Sequence, residues 1–379
     1  MILYLQGLRG LVDMKVTICY GPLSWFSTIR PEMGKNDQFF LNIVRIMDDQ
    51  RKFQTQSDCS LKFRTVIAES SDYASLKEHA ITNFIDLVFS FEAESVYLHN
   101  PPNVIYRQFE RYPNIDLQVK YYKYPTITKN TLIKFRNDFN EHVVGQKKVK
   151  QNVLTALYPL TRQRRSKPIV IMFYGPSGVG KTETAKFVND ILGGELLRKQ
   201  FSMFQGGDFS SYLFGGTHSE ASFAHDLLDR ESGVILIDEF DKANPVFHSA
   251  FYEFFDEGIF EDKNYKVQLG PAVIICTSNY KNEDEIRRTL GDALYSRFDR
   301  FIEFECLSKE EVEQVVDRLT EKFYNQLDNE EKRKLPLSKV KEQTCKIPAN
   351  INQVNVRKIG KLVEEIISLL LIRLMLKDD

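Results

Sequence analysis

Hydrophobic and polar positions follow one pattern in the first third of the chain. Four short runs rich in β-branched and aromatic residues are predicted strands, and they lie at 14–20, 61–68, 95–99 and 115–122. After the second run, residues 72–90 carry apolar positions at helical spacing, and Ser71 or Asp72 is the expected N-cap. Because strands and helices alternate, we predict a small α/β domain over residues 1–125.

A second pattern, from 131 to 307, predicts a parallel sheet covered by helices on both faces. The continuous apolar runs PIVIMFYG, GVILIDE and PAVIICTSN are typical of strands that are buried on both sides. The turn-rich segment 125–131 is the expected boundary with the first domain. We find no internal repeat in the sequence.

Residues 308–379 are predicted to form a helical subdomain. Ser308 and Glu311 form a capping box that opens the first helix. The apolar stripe of that helix is Val312, Val315, Val316, Leu319, Phe323 and Leu327. A second helix is predicted from about Asn355. Its polar face is not strongly basic, so we expect it to pack inside the subdomain rather than on a membrane surface.

Composition narrows the class of protein. The 379 residues include 28 Phe and 17 Tyr, which excludes disorder as the main state, and the length suits two or three domains. A net charge of −1 gives no overall attraction to nucleic acid or anionic lipid. The cysteines form no C-x-x-C pair, and no run reaches the ~20 apolar residues of a membrane span. We therefore expect a soluble, cytoplasmic protein.

The segment after the run PIVIMFY matches the phosphate-binding loop G-x-x-x-x-G-K-[ST] at every fixed position. Its residues are Gly175, Pro176, Ser177, Gly178, Val179, Gly180, Lys181 and Thr182, and Glu183 follows them in the helix. Glycines let backbone N–H groups converge on phosphates, and the helix N-terminus adds positive potential. Lys181 supplies a cation for the β- and γ-phosphates, and Thr182 offers a hydroxyl to Mg²⁺. The sequence therefore predicts a site for a nucleoside triphosphate.

Two carboxylates follow the apolar run GVILI. Asp238, at the C-terminal end of the predicted strand, is placed to hold Mg²⁺ through water. Glu239 is the expected general base that polarises the attacking water. The alternative interpretation of the same pair is an acidic loop after a core strand, which the phosphate-binding loop upstream disfavours.

These motifs together resemble an AAA+ ATPase of the Clp or torsin-related class. The resemblance rests on the phosphate-binding loop, on Ile-Asp-Glu-Phe-Asp-Lys-Ala at 237–243 and on Cys-Thr-Ser-Asn279. It covers residues ~131–379 and leaves the N-terminal domain out. It implies a large ATPase subdomain at 131–307, a helical lid at 308–379, ATP and Mg²⁺ as cofactors, and a homo-oligomeric ring, which in this family has six subunits.

The resemblance also implies roles for residues beyond the two motifs. The segment His142-Val-Val-Gly-Gln146 resembles the family's loop that packs on adenine, which gives Val144 and Gly145 a place in nucleotide binding. Asn279 matches the first sensor, a polar side chain that helps to orient the attacking water.

Two arginines are also implied as functional. Arg297 matches the arginine finger, which reaches the ATP of a neighbouring subunit, and Arg300 is the alternative for that role. Arg357 matches the second sensor of the lid, although the family has Gly-Ala-Arg where this chain has Asn355-Val356-Arg357. For each arginine, the other interpretation is a solvated helix face.

One part of the family pattern is missing. Clp-type unfoldases grip a threaded polypeptide with a Gly-aromatic-aliphatic-Gly loop between the phosphate-binding loop and the acidic strand. The corresponding stretch, 212–223, is shorter and lacks that unit, and His218 is its most distinctive side chain. We therefore expect remodelling of a protein partner, bound directly or through an adaptor by residues 1–125, without aromatic threading.

Two other functions remain open at this point. The first is a nucleotide-dependent switch on nucleic acid, for which the one basic cluster is 162–167; a solvated connector is favoured there because no aromatic residues are interleaved. The second is an ATP-binding scaffold with little turnover, which the presence of both Lys181 and Glu239 disfavours. In the first domain, one aromatic set is either a ligand platform or, as we favour, ordinary core and half-exposed sheet; its members are Trp25, Tyr97, Tyr106, Phe109, Tyr121, Tyr122 and Tyr124.

Overall fold

The computed structural model describes residues 14–52, 61–113, 115–162, 165–203, 207–347 and 356–376. Buried apolar side chains form separate cores around a first sheet, on the two faces of a second sheet and among the C-terminal helices. The predicted α/β fold with a helical C-terminal region is confirmed. Within the described residues, no helix is both long and apolar enough to cross a membrane.

The first sheet is built from elements between residues 15 and 121. They are β1 (Lys15–Tyr20), α1 (Leu23–Ile29), β2 (Asp37–Phe39), α2 (Phe40–Lys52), β3 (Lys62–Ala68), α3 (Ser70–Ala74), α4 (Glu78–Thr82), α5 (Phe84–Phe89), β4 (Glu92–His99), α6 (Asn103–Glu110) and β5 (Asp116–Tyr121). The strands are parallel in the order β2-β3-β4-β1-β5. All four predicted strands are confirmed, and the three-residue β2 is too short for its pattern to stand out.

The helical spacing predicted over 72–90 is confirmed, but the N-cap expected at Ser71 or Asp72 is wrong. The structure has three short helices there, and the first begins at Ser70 after the N-cap Glu69, whose N–H donates to Asp72 (3.0 Å). Asn83 leaves the helical region (φ −118°, ψ 35°), and its side chain donates to the carbonyl of His79 (3.0 Å). A side chain that takes a backbone acceptor competes with helix continuation. The apolar spacing is still used, because the apolar residues on these helices face one core.

The second sheet follows two helices that lie between residues 129 and 157. The elements are α7 (Lys129–His142), α8 (Lys147–Leu157), β6 (Ile169–Tyr174), α9 (Lys181–Leu192), β7 (Leu197–Gln200), α10 (Gly207–Phe214), α11 (Phe223–Asp229), β8 (Val234–Asp238), α12 (Tyr252–Asp256), β9 (Ile259–Glu261), β10 (Lys266–Gln268), β11 (Val273–Thr277), α13 (Glu283–Tyr295) and β12 (Arg300–Glu303). The parallel order is β12-β6-β11-β8-β7, and β9 pairs with β10 in a separate hairpin. Every residue of β6, β8 and β11 is buried, as their continuous apolar runs predicted.

The two five-stranded sheets share one topology. Counted along the chain within each sheet, both have the strand order second, third, fourth, first, fifth. The sequence shows no internal repeat, but the strand topology is repeated. Along the strands themselves the repeat does not stand out in the sequence, because many different apolar residues satisfy the same buried strand positions.

Four helices complete the described chain. They are α14 (Lys309–Gln326), α15 (Asn329–Lys334), α16 (Leu337–Thr344) and α17 (Val356–Met375). The predicted capping box is confirmed: the Ser308 hydroxyl accepts from the N–H of Glu311 (3.3 Å), and the N–H of Ser308 donates to that side chain (2.8 Å). The start predicted at Asn355 lies outside the described residues, and α17 begins one residue later. The two intervening helices were not predicted.

Candidate functional site

The phosphate-binding loop joins the end of β6 to the first residue of α9. Three of its glycines have left-handed backbone angles: Gly175 has φ 122°, Gly178 has φ 76° and Gly180 has φ 106°. A Cβ on Gly175 would stand 2.3 Å from the carbonyl oxygen of Phe304. The loop therefore needs glycine both for its turn and for its close approach to the chain after β12.

Lys181 is the buried cation of this loop. Its Nζ donates to the carbonyls of Gly175 (2.6 Å) and Pro176 (2.7 Å) and to Oδ1 of Asn279 (3.2 Å). Burial lowers the pKa of Lys181 to about 8; the carboxylates of Asp241 and Asp238 oppose this shift. The structure thus brings together Lys181 and Asn279, two predicted site residues from different strand ends.

Asp238 ends β8 inside the same cleft. Its Oδ1 accepts from the hydroxyl of Thr277, and its Oδ2 accepts from Nε of Arg198 (3.1 Å). The hydroxyl of Thr182 lies 3.4 and 3.5 Å from the two carboxylate oxygens. Mg²⁺ takes oxygen ligands, commonly one or two carboxylates together with substrate phosphates, so Thr182 and Asp238 fit that ion. The described residues contain no cluster of three or more His, Cys, Asp or Glu that suggests a different metal.

Glu239 follows Asp238 in a left-handed backbone conformation, with φ 56°. Its N–H donates to the hydroxyl of Thr277 (3.1 Å), and Nε2 of Gln200 donates to its Oε2 (3.3 Å). A non-glycine residue in this region costs about 1–3 kcal/mol and persists only where surrounding contacts impose it. Those contacts hold the Glu239 side chain along the wall of the cleft that Asn279 also lines.

Arg198 is a functional candidate that the sequence did not indicate. It lies on β7 beside the acidic strand, and its guanidinium forms an ion pair with Asp238. It also lines the nucleotide cleft. The local signal, one arginine in the short polar strand LRKQ, is too common to single out. Only the pairing of β7 with β8 makes its position informative.

The cleft has a volume of about 540 Å³ and is closed on one side by the C-terminal helices. Val144 lines it, as do Ser177 to Glu183 of the phosphate-binding loop. Gly145 does not line it; its left-handed turn (φ 69°) instead lets Glu311 approach, since a Cβ there would stand 2.3 Å from that carboxylate. The prediction that Gly145 contacts the nucleotide therefore has no support in the lining of the cleft.

Arg357 enters the cleft from the start of α17. The N–H of Val356 donates to the carbonyl of Gly178 (2.9 Å), which ties this helix directly to the phosphate-binding loop. Arg357 lines the cleft and its charge also lowers the pKa of Lys181. Arg318 of α14 reaches the other rim, where it donates to the carbonyls of Asn140 (2.7 Å) and Glu141 (3.0 Å).

Arg297 lies outside the nucleotide cleft. Its Nε donates to Oδ2 of Asp256 (2.8 Å), and its guanidinium lies 4.4 Å from the centre of the Tyr252 ring. It lines a separate shallow cleft with Arg165 and Asp299 among others. The structure therefore does not bring Arg297 together with the other predicted catalytic residues of its own chain. Arg300, the alternative, is an exposed residue at the start of β12.

The stretch that replaces the gripping loop holds its tyrosine inside the protein. Tyr212 is buried, and its hydroxyl donates to Asp226 (2.5 Å). His218 reaches the first sheet's helices, where its Nε2 lies 3.6 Å from Glu78, and burial lowers the pKa of His218. Residues 204–206 of the preceding segment lie outside the described residues. No Gly-aromatic-aliphatic-Gly loop is seen in 207–223.

The two alternative sites of the sequence are largely engaged in intramolecular contacts. In the basic cluster, Arg165 pairs with Asp299 (3.2 Å) and Lys167 with Glu257 (2.6 Å), while residues 163 and 164 lie outside the described residues. In the first domain, the Trp25 ring packs on Tyr122, with ring centres 5.6 Å apart. These contacts favour the solvated connector and the ordinary packing role over a nucleic-acid site and a ligand platform.

Comparison with known proteins agrees with this geometry. The family described as AAA domain (Cdc48 subfamily) matches residues 166–330. The chaperone protein ClpB of Tropheryma whipplei (strain TW08/27) is 29% identical over 216 residues, covering 49% of this chain and 31% of ClpB. The Clp protease ATP-binding subunit ClpE of Bacillus subtilis (strain 168) is 29% identical over 214 residues, covering 48% and 31%. The ClpA homolog protein of Fuscovulum blasticum is 32% identical over 216 residues, covering 49% and 27%.

The chain thus spans less than a third of the length of these relatives. A cryo-EM reconstruction of Hsp104 with ATPγS and FITC casein in the closed state resembles the fold, with a TM-score of 0.54 and 12% identity over 96% of this chain and 89% of that chain. The family match includes the phosphate-binding loop, the acidic strand end, Asn279 and Arg297. The chain therefore contains an AAA+ ATPase module of the Clp type.

Proposed function

We propose that this protein hydrolyses ATP with Mg²⁺ as a homo-oligomer and uses the energy to remodel a protein partner. The observation that supports this most directly is the convergence of four side chains in one cleft: Lys181, Asp238, Glu239 and Asn279. They come from three strand ends of a parallel sheet, where α/β proteins bind their ligands.

Each of these groups has a role in the proposed reaction. The N–H groups of the loop and Lys181 bind the phosphates, and Thr182 with Asp238 holds Mg²⁺. When bound, Mg²⁺ neutralises the negative charge that develops on the β- and γ-phosphate oxygens. Glu239 accepts a proton from the attacking water, and Asn279 orients that water. Arg357 contacts the phosphates from the lid.

Assembly is part of the proposal because of Arg297. In its own chain this arginine lies outside the nucleotide cleft, so a role as arginine finger requires a second subunit. Such a finger accelerates phosphoryl transfer by about 10³–10⁵. A ring, with six subunits as its expected number, places each Arg297 near the ATP of the next chain.

A protein partner is favoured over nucleic acid by two observations. The relatives include proteins named as chaperones, and the basic cluster near residue 165 is paired with acidic side chains. Buried Tyr212 supports a mechanism other than aromatic threading. Residues 1–125, for which no ATPase role follows from the motifs, are the proposed site for the partner or its adaptor.

The substitution Glu239→Gln tests the chemistry. It keeps the size of the side chain and removes the base, so we expect ATP affinity within about threefold of the wild type and turnover at least 100-fold lower. Lys181→Ala is the matched control and should lose ATP binding and turnover together. The measurements are calorimetric titration with Mg-ATP and steady-state phosphate release. Wild-type turnover in Glu239→Gln would remove Glu239 from the mechanism.

A further inference from the structure

The shared topology of the two sheets extends to a local sequence match. The first strand of each sheet ends in Tyr-Gly-Pro, at 20–22 in β1 and at 174–176 in β6. In the first sheet β1 lies between β4 and β5, and in the second sheet β6 lies between β11 and β12. In both sheets, therefore, the first strand lies between the strands that come fourth and fifth along the chain. Gly21 therefore occupies in the first sheet the place where the phosphate-binding loop begins in the second.

Strand register shows what replaces the acidic pair. Across the second sheet Cys276 pairs with Ile237, the residue before Asp238. Across the first sheet the corresponding pair is Leu98 and Ala68. The residue after Ala68 is Glu69, which is the N-cap of α3. Glu69 therefore corresponds to Asp238, and Ser70 corresponds to Glu239. With serine in that position, the first sheet lacks the carboxylate that polarises water.

The phosphate-binding loop itself is missing from the first sheet. Six residues, 175–180, join β6 to its helix, whereas only Gly21 and Pro22 join β1 to α1. Two residues leave no run of backbone N–H groups that wraps around a phosphate.

The first sheet's own side chains fill that strand end. Oδ1 of Asn100 accepts from the N–H of Gly21 (3.0 Å), Nδ2 of Asn100 donates to its carbonyl (2.9 Å), and Nε2 of His99 lies 2.7 Å from the same oxygen. His99 and Asn100 have no exposed surface. A Cβ on Gly21 would stand 2.4 Å from Cβ of Tyr122, so the space is closed on that side as well.

The start of α1, which follows this strand end, contacts a carboxylate of the ATPase module. The N–H of Leu23 donates to Oδ1 of Asp229 (3.0 Å), and Nε2 of His99 lies 3.8 Å from the same oxygen. The hydroxyl of Ser24 donates to Glu231 (2.5 Å). Where the second sheet is built to hold a phosphate, the first sheet holds acidic side chains of this same chain.

A second set of contacts links the first domain to the same part of the ATPase module. The hydroxyl of Tyr124 donates to the carbonyl of Leu228 (3.1 Å), and the buried guanidinium of Arg230 stacks 3.7 Å from the centre of the Tyr124 ring. The contacted segment, 228–231, leads through two residues into β8, the strand that carries Asp238.

We propose that the first sheet is a nucleotide-free copy of the sheet in the ATPase module, and that its former phosphate end is a docking site for segment 228–231. The partner of this site is intramolecular and anionic, with the carboxylates of Asp229 and Glu231 in the place of a phosphate. The docking contact ties the N-terminal domain to the entry of the acidic strand. This inference goes beyond the proposed function and holds independently of ATP turnover.

The number of ATP molecules per chain tests the first half. Titration of the full chain with Mg-ATP should give one site, and Lys181→Ala should bind none. Two sites in the wild type, or one remaining in Lys181→Ala, would overturn the nucleotide-free assignment. Failure of the proposed function has a different signature, which is one bound ATP without turnover or no binding by a folded wild-type chain.

Removal of one N–H tests the docking half. Leu23→Pro deletes the donor to Asp229 but suits the first position of a helix, and Pro22 already has the extended ψ of 149° that precedes proline. Leu23→Ala is the control because it keeps the N–H. In the full chain without nucleotide, the amides of residues 228–233 should exchange about tenfold faster in Leu23→Pro than in the wild type. In Leu23→Ala the same amides should exchange less than twofold faster.

Asp229→Ala provides an independent arm should Leu23→Pro fail to fold. In the Asp229→Ala variant, the amides of residues 21–26 should exchange about tenfold faster than in the wild type. The double variant Leu23→Pro with Asp229→Ala should exchange no faster than either single variant, because both substitutions remove the same interaction. Unchanged exchange in both single variants, or effects that multiply in the double variant, would overturn the docking site.

Discussion

Lys181 is a basic residue in a buried position, which disfavours its charged form. The residue is 8% exposed, and the ammonium donates to two carbonyls of its own loop before any phosphate is bound. Burial brings its pKa down to about 8. A buried, preorganised lysine contributes more free energy to anion binding than a solvated lysine does, because the charge has already been desolvated when the protein folds.

ATP affinity should therefore depend on pH. The triphosphate favours the charged ammonium, so binding raises the pKa of Lys181 and takes up a proton wherever the free site is neutral. Affinity is constant below about pH 8 and falls as pH rises above it, by up to tenfold per pH unit. Calorimetry in buffers of different ionisation enthalpy measures this uptake. Lys181→Arg, whose charge persists, should show no such fall, and a flat profile in the wild type would contradict the prediction.

Gly175 illustrates a steric requirement at the same scale. Gly175→Ala places a Cβ 2.3 Å from the Phe304 carbonyl at a φ of 122°, and we expect it to cost about 3 kcal/mol or more of the free energy of unfolding. Gly270→Ala is the matched control: its φ is 66°, nothing lies within 4 Å, and the cost should be about 1 kcal/mol. Urea titration of both variants measures the difference, and equal costs would show that the carbonyl gives way.

At the scale of elements, the site depends on strands that deliver their carboxyl ends to one edge. Asp238 on β8 receives hydrogen bonds from Thr277 on β11 and from Arg198 on β7. Each contact crosses from one strand to its neighbour, so the geometry of the acidic pair depends on the pairing of three strands. A change in register of one residue would turn these side chains to the opposite face.

The start of α14 can be tested by itself. Ser308→Ala removes the acceptor for the N–H of Glu311, and we expect a loss of about 1 kcal/mol in the free energy of unfolding. The control Ser368→Ala lies on the exposed side of α17, where the hydroxyl donates to the carbonyl of Glu364, and should be neutral or slightly stabilising. Circular dichroism during urea unfolding gives both values. A loss no greater than that of Ser368→Ala would mean that packing alone sets where α14 begins.

At the scale of the whole molecule, the two halves of the proposed active site lie at opposite ends of the strands of the second sheet, because Lys181 follows the C-terminal end of β6 and Arg297 lies near its N-terminal end. Lys181 lines the nucleotide cleft, whereas Arg297 lies in a second cleft beside Asp256. A single chain cannot close this separation without rearranging its sheet. Two copies can, if the face with Arg297 of one meets the cleft of the other.

Mixing inactive subunits tests this arrangement. Lys181→Ala cannot bind ATP and Arg297→Ala lacks the finger, so each protein should be inactive alone. In mixtures, Lys181→Ala chains still supply Arg297 to intact clefts of the other variant, and phosphate release should recover to a tenth or more of the wild-type rate. Wild-type turnover per chain should likewise rise with protein concentration before it levels off.

The control for this experiment is the double variant Lys181→Ala with Arg297→Ala, which should not restore activity to either single variant. An Arg297→Ala protein with wild-type turnover would exclude the finger role, and concentration-independent turnover by a monomer would exclude assembly as a requirement.

Prediction from sequence succeeded where one short segment carries the whole signal. The phosphate-binding loop needs its glycines and lysine within eight consecutive residues, and the capping box at Ser308 needs four. It missed a break where a competing local contact intervened, as at Asn83, whose side chain ends a helix that the apolar spacing favours. It could not assign Arg198, since a strand of four residues has no pattern of its own.

The sequence by itself determined which residues are the candidates for binding phosphates and polarising water, because that chemistry depends on residue type and on spacing along the chain. Only the tertiary structure decided which of them meet. Leu23 and Asp229 are 206 positions apart, and the likeness of the two sheets resides in strand order rather than in residue identity. Contacts across such distances follow from how strands pair and helices pack, which local pattern does not encode.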